Sequence, residues 1–212
     1  DADWLRAHCN ASVRADAPRL FCLLKDVGNY NWEKLQSIAG EPVYFQPSWT
    51  GKIPPGMCQG GVYLKVGARV VLSRNLPEHI GTLHNGSCGT VTALDEKISA
   101  RVRFDCGVEA TIKKYVQEFK DNKDDKVIAT YTFMPLMLAW AVSIHRAQGA
   151  TLDSMYVDLA KCWEAAQAYV ALSRVREASH VEADNFQLRD LNKIDKVALA
   201  FYNKCVDRSE KR

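Results

Sequence analysis

Three predominantly apolar runs constrain this chain more than any other feature: "RLFCLL" at 19–24, "LMLAWAV" at 136–142 and "SMYVDL" at 154–159. A strand with one wet face alternates apolar and polar residues. Runs that do not alternate predict strands covered on both faces, as in a parallel sheet. Helical patterns lie between them. "NYNWEKLQSIAG" (29–40) sets Trp32, Leu35 and Ile38/Ala39 three or four apart, with Asn29 or Asn31 as cap and Gly40 as stop. "VYF" (43–45) predicts a second short strand, so 18–46 reads as strand–helix–strand. "WEAAQAYVALSRV" (163–175) predicts a helix with Trp163, Ala166, Tyr169/Val170 and Leu172/Ser173 stepping round one face. "HVEAD" (180–184) predicts a strand. "DLNKIDKVALAFYNKC" (190–205) predicts an amphipathic helix with Leu191, Ile194, Val197/Ala198 and Phe201 inward.

The texture changes in between. Residues 48–63, with Gly51, Gly56, Gly60, Gly61, Pro54 and Pro55, read as a loop. Short β-rich runs follow, "ARVVLSRNL", "CGTVTAL", "SARVRFD" and "VEATIKKY", separated by the turn signals "HNGSCG", "LDEK" and "DCG". They predict a small closed antiparallel unit over 66–131, with Asn85-Gly86 in a hairpin turn. It ends in the charged loop "KDNKDDK" (120–126). Residues 1–17 read as a leading helix and linker. The expected organisation is an α/β part at 18–65, a β insert at 66–131 and a second α/β part at 132–212, the two α/β parts sharing one sheet.

Of 212 residues 47% are apolar, enough for one sizeable core or two small ones. The net charge is +3, so any nucleic-acid site must be local rather than a property of the whole surface. Seven cysteines, Cys9, Cys22, Cys58, Cys88, Cys106, Cys162 and Cys205, are widely spaced with no C-x-x-C pair. That argues against a zinc ribbon and for reduced cysteines in an intracellular protein. The longest apolar run is roughly ten residues, too short to cross a bilayer, and no signal peptide is evident. The abrupt start at Asp1 predicts a fragment or processed product.

The chemistry-bearing residues concentrate in two stretches. "SIHRAQG" (143–149) follows an apolar strand directly, and ligands of open parallel sheets bind beyond the strands' carboxyl ends. Ser143 and His145 can donate to phosphate oxygens, Arg146 can pair with them, Gln148 can bridge to a water or phosphate, and Gly149 lets backbone approach closely. The plain alternative is a polar strand-to-helix turn with a structural histidine. "QAYVALSR" (167–174) ends a helix in Ser173 and Arg174, where the helix dipole favours a cation in any case.

Taken together and in this order, "MPLMLAWAVSIHRAQGATLD…VDL…QAYVALSR" resembles the PIF (petite integration frequency) family of superfamily 1 helicases, and more distantly the bacterial RecD-type enzymes. "PRLFCLLKDVGNYNWEKL" is similar to the segment opening that family's second RecA-like domain. "VGARVVLSRNL…HNGSCGTV…RVRF" is similar to its inserted Src-homology-3-like antiparallel barrel. The likeness covers about 18–205. It implies an α/β fold: the second RecA-like domain, a parallel sheet with flanking helices, carrying a small inserted barrel. It implies the C-terminal motor portion of an ATP-dependent 5′-to-3′ DNA helicase of DNA repair, recombination and replication, in the nucleus or mitochondrion. Arg174 matches the catalytic arginine finger, and Gln148 and Gly149 match positions near the nucleotide. Ser143, His145, Arg146, Gln167 and, in the barrel, Asn85 match DNA-facing positions; Tyr169 reads as core. The implied partners are single-stranded DNA and a first RecA-like domain, with ATP and Mg2+ used by the full-length enzyme, none bound by this chain alone, and no membrane. Two departures stand out. Leu23 and Leu24 replace a Thr-Asn pair that helps hold DNA in the family. No G-x-x-x-x-G-K-[ST] or Asp-Glu Walker B pair occurs, so this chain alone should not hydrolyse ATP. The alternative from another class is a non-catalytic, helicase-derived module that binds nucleic acid or protein.

Overall fold

The computed structural model describes residues 13, 16–53, 60–76, 78, 82–95, 97–121, 126–164, 166–184, 196–197 and 199–200. The chain divides into two compact units, one of residues 1–30 and 140–212, the other of residues 31–139. Strand β1 (Arg19–Phe21) is followed by helix α1 (Leu24–Ser37), which starts earlier than the Asn29 or Asn31 cap expected from the pattern. Asp26 in its first turn and Lys34 in its last complement the helix dipole. Its buried side chains are Asn31 and Leu35, one turn apart. Trp32, placed inward by the spacing, is exposed and packs edge-to-face on Tyr63, ring centroids 5.4 Å apart.

The unit of residues 31–139 is built from antiparallel strands. These are β2 (Val43–Phe45), β3 (Ser48–Gly51), β4 (Val62–Leu64), β5 (Arg69–Leu72), β6 (Cys88–Asp95), β7 (Ser99–Phe104), β8 (Glu109–Lys113), β9 (Tyr115–Lys120), β10 (Val127–Phe133) and β11 (Leu136–Leu138). β2 pairs antiparallel with β4, so "VYF" is half of a two-stranded antiparallel sheet and not the second strand of a parallel sheet. A three-residue apolar run carries no information about its direction. β3 lies in the stretch that reads as a loop; all four of its residues are exposed, and it pairs with the edge of β10. The largest sheet has the order β11-β5-β6-β7-β8. Alternation is clean where one face is covered: in β7 Ala100, Val102 and Phe104 are buried while Arg101 and Arg103 are exposed, and in β8 Ala110 and Ile112 are buried. This sheet draws its fifth strand from 136–138, while β9 and β10 join β3 in a separate three-stranded sheet.

The Asn85-Gly86 turn is present but differs from a two-residue hairpin. Ser87 N–H donates to the His84 carbonyl at 2.9 Å, and Gly86 has φ +97 while Asn85 stays at negative φ. That is the type II pattern, which needs glycine at its third position. Gly86 N–H donates to the Leu72 carbonyl at 2.8 Å, so the turn closes the long connection between β5 and β6.

The other unit returns with β12 (Ala141–Ser143), α2 (Ile144–Ala147), β13 (Met155–Asp158), α3 (Gln167–Leu172) and β14 (Val181–Asp184). Its sheet has the order β12-β1-β13-β14, and every pairing is parallel. "LMLAWAV" is thus two strands, β11 and β12, broken at Ala139–Trp140. Both halves are apolar because each is buried, but in different sheets. Around the parallel sheet pack Leu20, Ile144, Ala147, Met155, Val157, Leu159, Ala168, Ala171 and Val181. The leading helix of 1–17 falls almost wholly outside the described residues, as do Leu191, Ile194, Ala198 and Phe201 of the expected last helix. Val197 is described and is exposed, against its expected inward placement.

Candidate nucleotide and nucleic-acid edge

Because all four strands run parallel, their carboxyl ends meet at one edge. There β1 gives way to Cys22, β12 to α2 and β13 to Leu159. The "SIHRAQG" turn occupies this edge, as its position after a strand predicts. Ser143 is buried and acts as the N-cap of α2: its Oγ accepts the Arg146 N–H at 3.3 Å. The cap uses an oxygen lone pair and leaves the hydroxyl proton to be donated elsewhere. A short helix leaving a strand has orphan N–H groups, and the serine satisfies one of them. His145 and Arg146 lie on the exposed side of the same turn. His145 Nε2 is 2.9 Å from Glu164 Oε2. Glu164 was not singled out from the sequence, since only the fold brings it across from the segment before α3.

Gln148 is the exposed C-cap of α2, its N–H donating to the His145 carbonyl at 3.3 Å, and Gly149 takes the left-handed conformation at φ +84. A Cβ added at Gly149 would meet no heavy atom within 4 Å. Within the chain itself, glycine is needed here for its φ. Gly149→Ala should cost about 1–2 kcal/mol from the left-handed backbone alone. Urea denaturation should show a lower midpoint with an unchanged slope. An unaltered midpoint would mean that the turn relaxes freely.

The second stretch comes to the same place. Leu152 N–H donates to the Arg174 carbonyl at 2.8 Å, Leu152 and Val175 form a parallel bridge, and Arg174 Nη1 donates to the Ala150 carbonyl at 3.4 Å. The end of α3 is thus sewn to the residues that follow Gly149. Arg174 is half-buried rather than free in solvent. Its Nε donates to the Val170 carbonyl at 2.8 Å and its Nη2 to Ser173 Oγ at 2.6 Å. These acceptors are all uncharged, and no carboxylate stands beside the guanidinium among the described residues.

Helix α3 turns the opposite way from the expected face. Ala168 and Ala171 are buried, while Trp163 and Tyr169 are 67% and 64% exposed. Tyr169 is therefore not core. Gln167 opens the helix at 4% exposure, and among the described residues neither Nε2 nor Oε1 has a hydrogen-bond partner. Orphaned carboxamide ends of this kind are costly, about 1–3 kcal/mol each, and are commonly completed by a ligand or water. Ala166, just before it, sits at φ 60, a strained conformation for a residue with a side chain. Leu24 is exposed at the carboxyl end of β1, where the sequence departs from the polar pair. Asn85 lies in the other unit, its backbone N–H donating to Asn75 Oδ1 at 2.7 Å. Among the described residues no three His, Cys, Asp or Glu stand together as a metal site, so none is assigned to Mg2+. No described helix is long and apolar enough to cross a membrane.

No family model matches the chain. Its fold matches Bacteroides sp. Pif1 in complex with ADP-AlF4, with TM-score 0.78 and 27% identity over 98% of this chain and 50% of that one. It also matches Bacteroides Pif1 bound to ssDNA, with TM-score 0.76 and 27% identity over 98% of this chain and 50% of that one. The parallel sheet with helices packed on it is a RecA-like α/β fold. In sequence, the chain is 37% identical over 178 residues to the ATP-dependent DNA helicase PIF1 of Xenopus laevis, covering 80% of this chain and 28% of the relative. The chain belongs to the PIF family of DNA helicases and corresponds to the C-terminal part of such a protein. It spans under a third of that curated relative's length.

Proposed function

We propose that this chain is the C-terminal motor portion of an ATP-dependent 5′-to-3′ DNA helicase. It supplies the arginine finger and part of the grip on single-stranded DNA. The observation that carries this is the junction of the two motif stretches, with Arg174 bonded to Ala150 and Leu152 at the carboxyl edge of the parallel sheet. A first RecA-like domain would hold ATP and Mg2+, since this chain has no phosphate-cradling loop. Arg174 would then face the γ-phosphate across the domain cleft and stabilise charge in the transition state. Gln148 and Gly149 would lie near the nucleotide. His145 and Arg146 would face the DNA backbone, and Gln167, whose carboxamide lacks a partner among the described residues, would complete its bonds there. Ser143 would hold the turn and offer its hydroxyl proton to the DNA backbone. In the other unit, Asn85 would touch DNA from a Src-homology-3-like insert, for which we keep the limits 66–131 between RecA-like parts at 18–65 and 132–212. An enzyme of this kind works where DNA is kept, in the nucleus or mitochondrion, in repair, recombination or replication.

The test uses the 212-residue chain itself. Fluorescence anisotropy with a single-stranded oligonucleotide should show weak binding that falls steeply with salt, and Arg146→Ala should reduce the slope of log K against log salt by about 0.7. An unchanged slope would take Arg146 off the DNA. The chain alone should turn over no ATP; turnover by it would overturn the division of labour between two domains. The departure at Leu23 and Leu24 favours a second reading, a non-catalytic module that binds nucleic acid or protein. The intact protein separates the two: DNA-stimulated ATP turnover there excludes the module.

A further inference from the structure

Cys22 and Cys162 take no part in the site described above. Cys22 follows β1 directly, and Cys162 lies in the segment between β13 and α3, 140 residues further along the chain. Their Sγ atoms are 2.8 Å apart inside the core, with the residues 8% and 5% exposed. That leaves a short movement to the about 2.05 Å of a disulfide. The contact, in which one sulfur shares a proton with the other, holds the Cys22 thiol below its ordinary range, against the upward push of burial. Cys22 Sγ also lies 3.7 Å from the Asp158 carbonyl, and the neighbouring Lys161 Nζ is 2.7 Å from Asp26 Oδ2. The segment carrying Cys162 is therefore already fastened beside the β1 end by an ion pair, and the two sulfurs need not search for each other.

We propose that Cys22 and Cys162 form a reversible disulfide when the protein meets a small peroxide, joining the end of β1 to the segment that leads into α3. The Cys22 thiolate attacks one peroxide oxygen, the O–O bond breaks, and the departing hydroxide takes a proton to leave as water. The resulting sulfenic acid is attacked by Cys162 sulfur; the S–O bond breaks and a second water leaves with the Cys162 proton. Two thiols are oxidised and one peroxide is reduced to two waters; an added thiol reverses the change. Peroxide suits the site because a buried pair admits only a small oxidant. The pair would close whether or not the chain works in a helicase. Within one, it would stiffen the segment that bears Glu164, the partner of His145.

The experiment treats the 212-residue chain with hydrogen peroxide, blocks remaining thiols with N-ethylmaleimide, and maps peptides without reduction. The expected result is a Cys22 peptide linked to a Cys162 peptide, released by dithiothreitol, with half-buried Cys88 and exposed Cys106 still alkylated or singly oxidised. The melting temperature of the oxidised chain should rise by about 5–10 °C. Cys22→Ser and Cys162→Ala should each abolish the linked peptide and the rise. The proposal is overturned if Cys22 and Cys162 both remain alkylatable after peroxide and unfolding, or if either is linked to a different cysteine. Mapping of the unsubstituted chain decides this even if a variant fails to fold.

Discussion

In the intact protein that carries this chain, Arg174→Lys should lower ATP turnover by about two orders of magnitude or more. Lysine keeps the positive charge but loses the planar fork that meets two phosphate oxygens at once. Of the five N–H groups of a guanidinium, three are engaged here, with the carbonyls of Val170 and Ala150 and with Ser173 Oγ. Two remain to reach an anion, and no described carboxylate competes for them. The backbone of Arg174, which accepts from Leu152 N–H, is untouched by the substitution. A purely structural arginine would show itself otherwise: Arg174→Lys and Arg174→Ala would lower the melting temperature, with turnover falling only as the folded fraction falls. The expected pattern is a small change in melting temperature, little change in DNA affinity without nucleotide, and loss of steady-state ATPase with DNA present. Near-normal turnover in both variants would make Arg174 a fastening between α3 and the turn after Gly149, and nothing more.

Leu20→Ala should have the largest effect on stability. Leu20 is fully buried in β1, the strand paired on both sides, with β12 and β13. Removing a buried leucine side chain costs about 2–5 kcal/mol, the spread reflecting how far the cavity can collapse. Leu24, four residues on, is 76% exposed, and Leu24→Ala should stay within about 0.5 kcal/mol. The two variants, compared by urea denaturation followed by circular dichroism, separate the core of the parallel sheet from its surface. Equal costs would mean that β1 is not the centre of that sheet.

The sequence made the chemistry easier to read than the packing. "SIHRAQG" and "QAYVALSR" are legible because polar and charged residues follow apolar runs directly, and the fold brings the two stretches to one edge. "SMYVDL" and "HVEAD" are strands because their short apolar runs sit between turns, and β14 pairs beside β13 as a strand–helix–strand unit requires. What was illegible concerns partners. "LMLAWAV" reads as one strand because burial in two different sheets leaves the same apolar signature. Apolar spacing places Trp32, Trp163 and Tyr169 inward, yet α1 buries Leu35 together with polar Asn31, α3 buries Gln167 with Ala168 and Ala171, and Trp163 lies ahead of α3. Apolar spacing cannot reveal a polar side chain turned inward. The His145–Glu164 and Cys22–Cys162 contacts join residues far apart in the chain, and only the topology makes them neighbours.

As the proposed part of an ATP-driven DNA motor, this chain uses Arg174 on a nucleotide that the other part binds. Strand displacement by the intact protein tests it most directly, using forked DNA with either a 5′ or a 3′ single-stranded tail, ATP present or absent. The expected result is ATP-dependent unwinding from the 5′ tail, abolished by Arg174→Ala while binding to the same tail persists. Tight binding to the tail with no ATP-dependent unwinding, or unwinding that Arg174→Ala leaves intact, would contradict it.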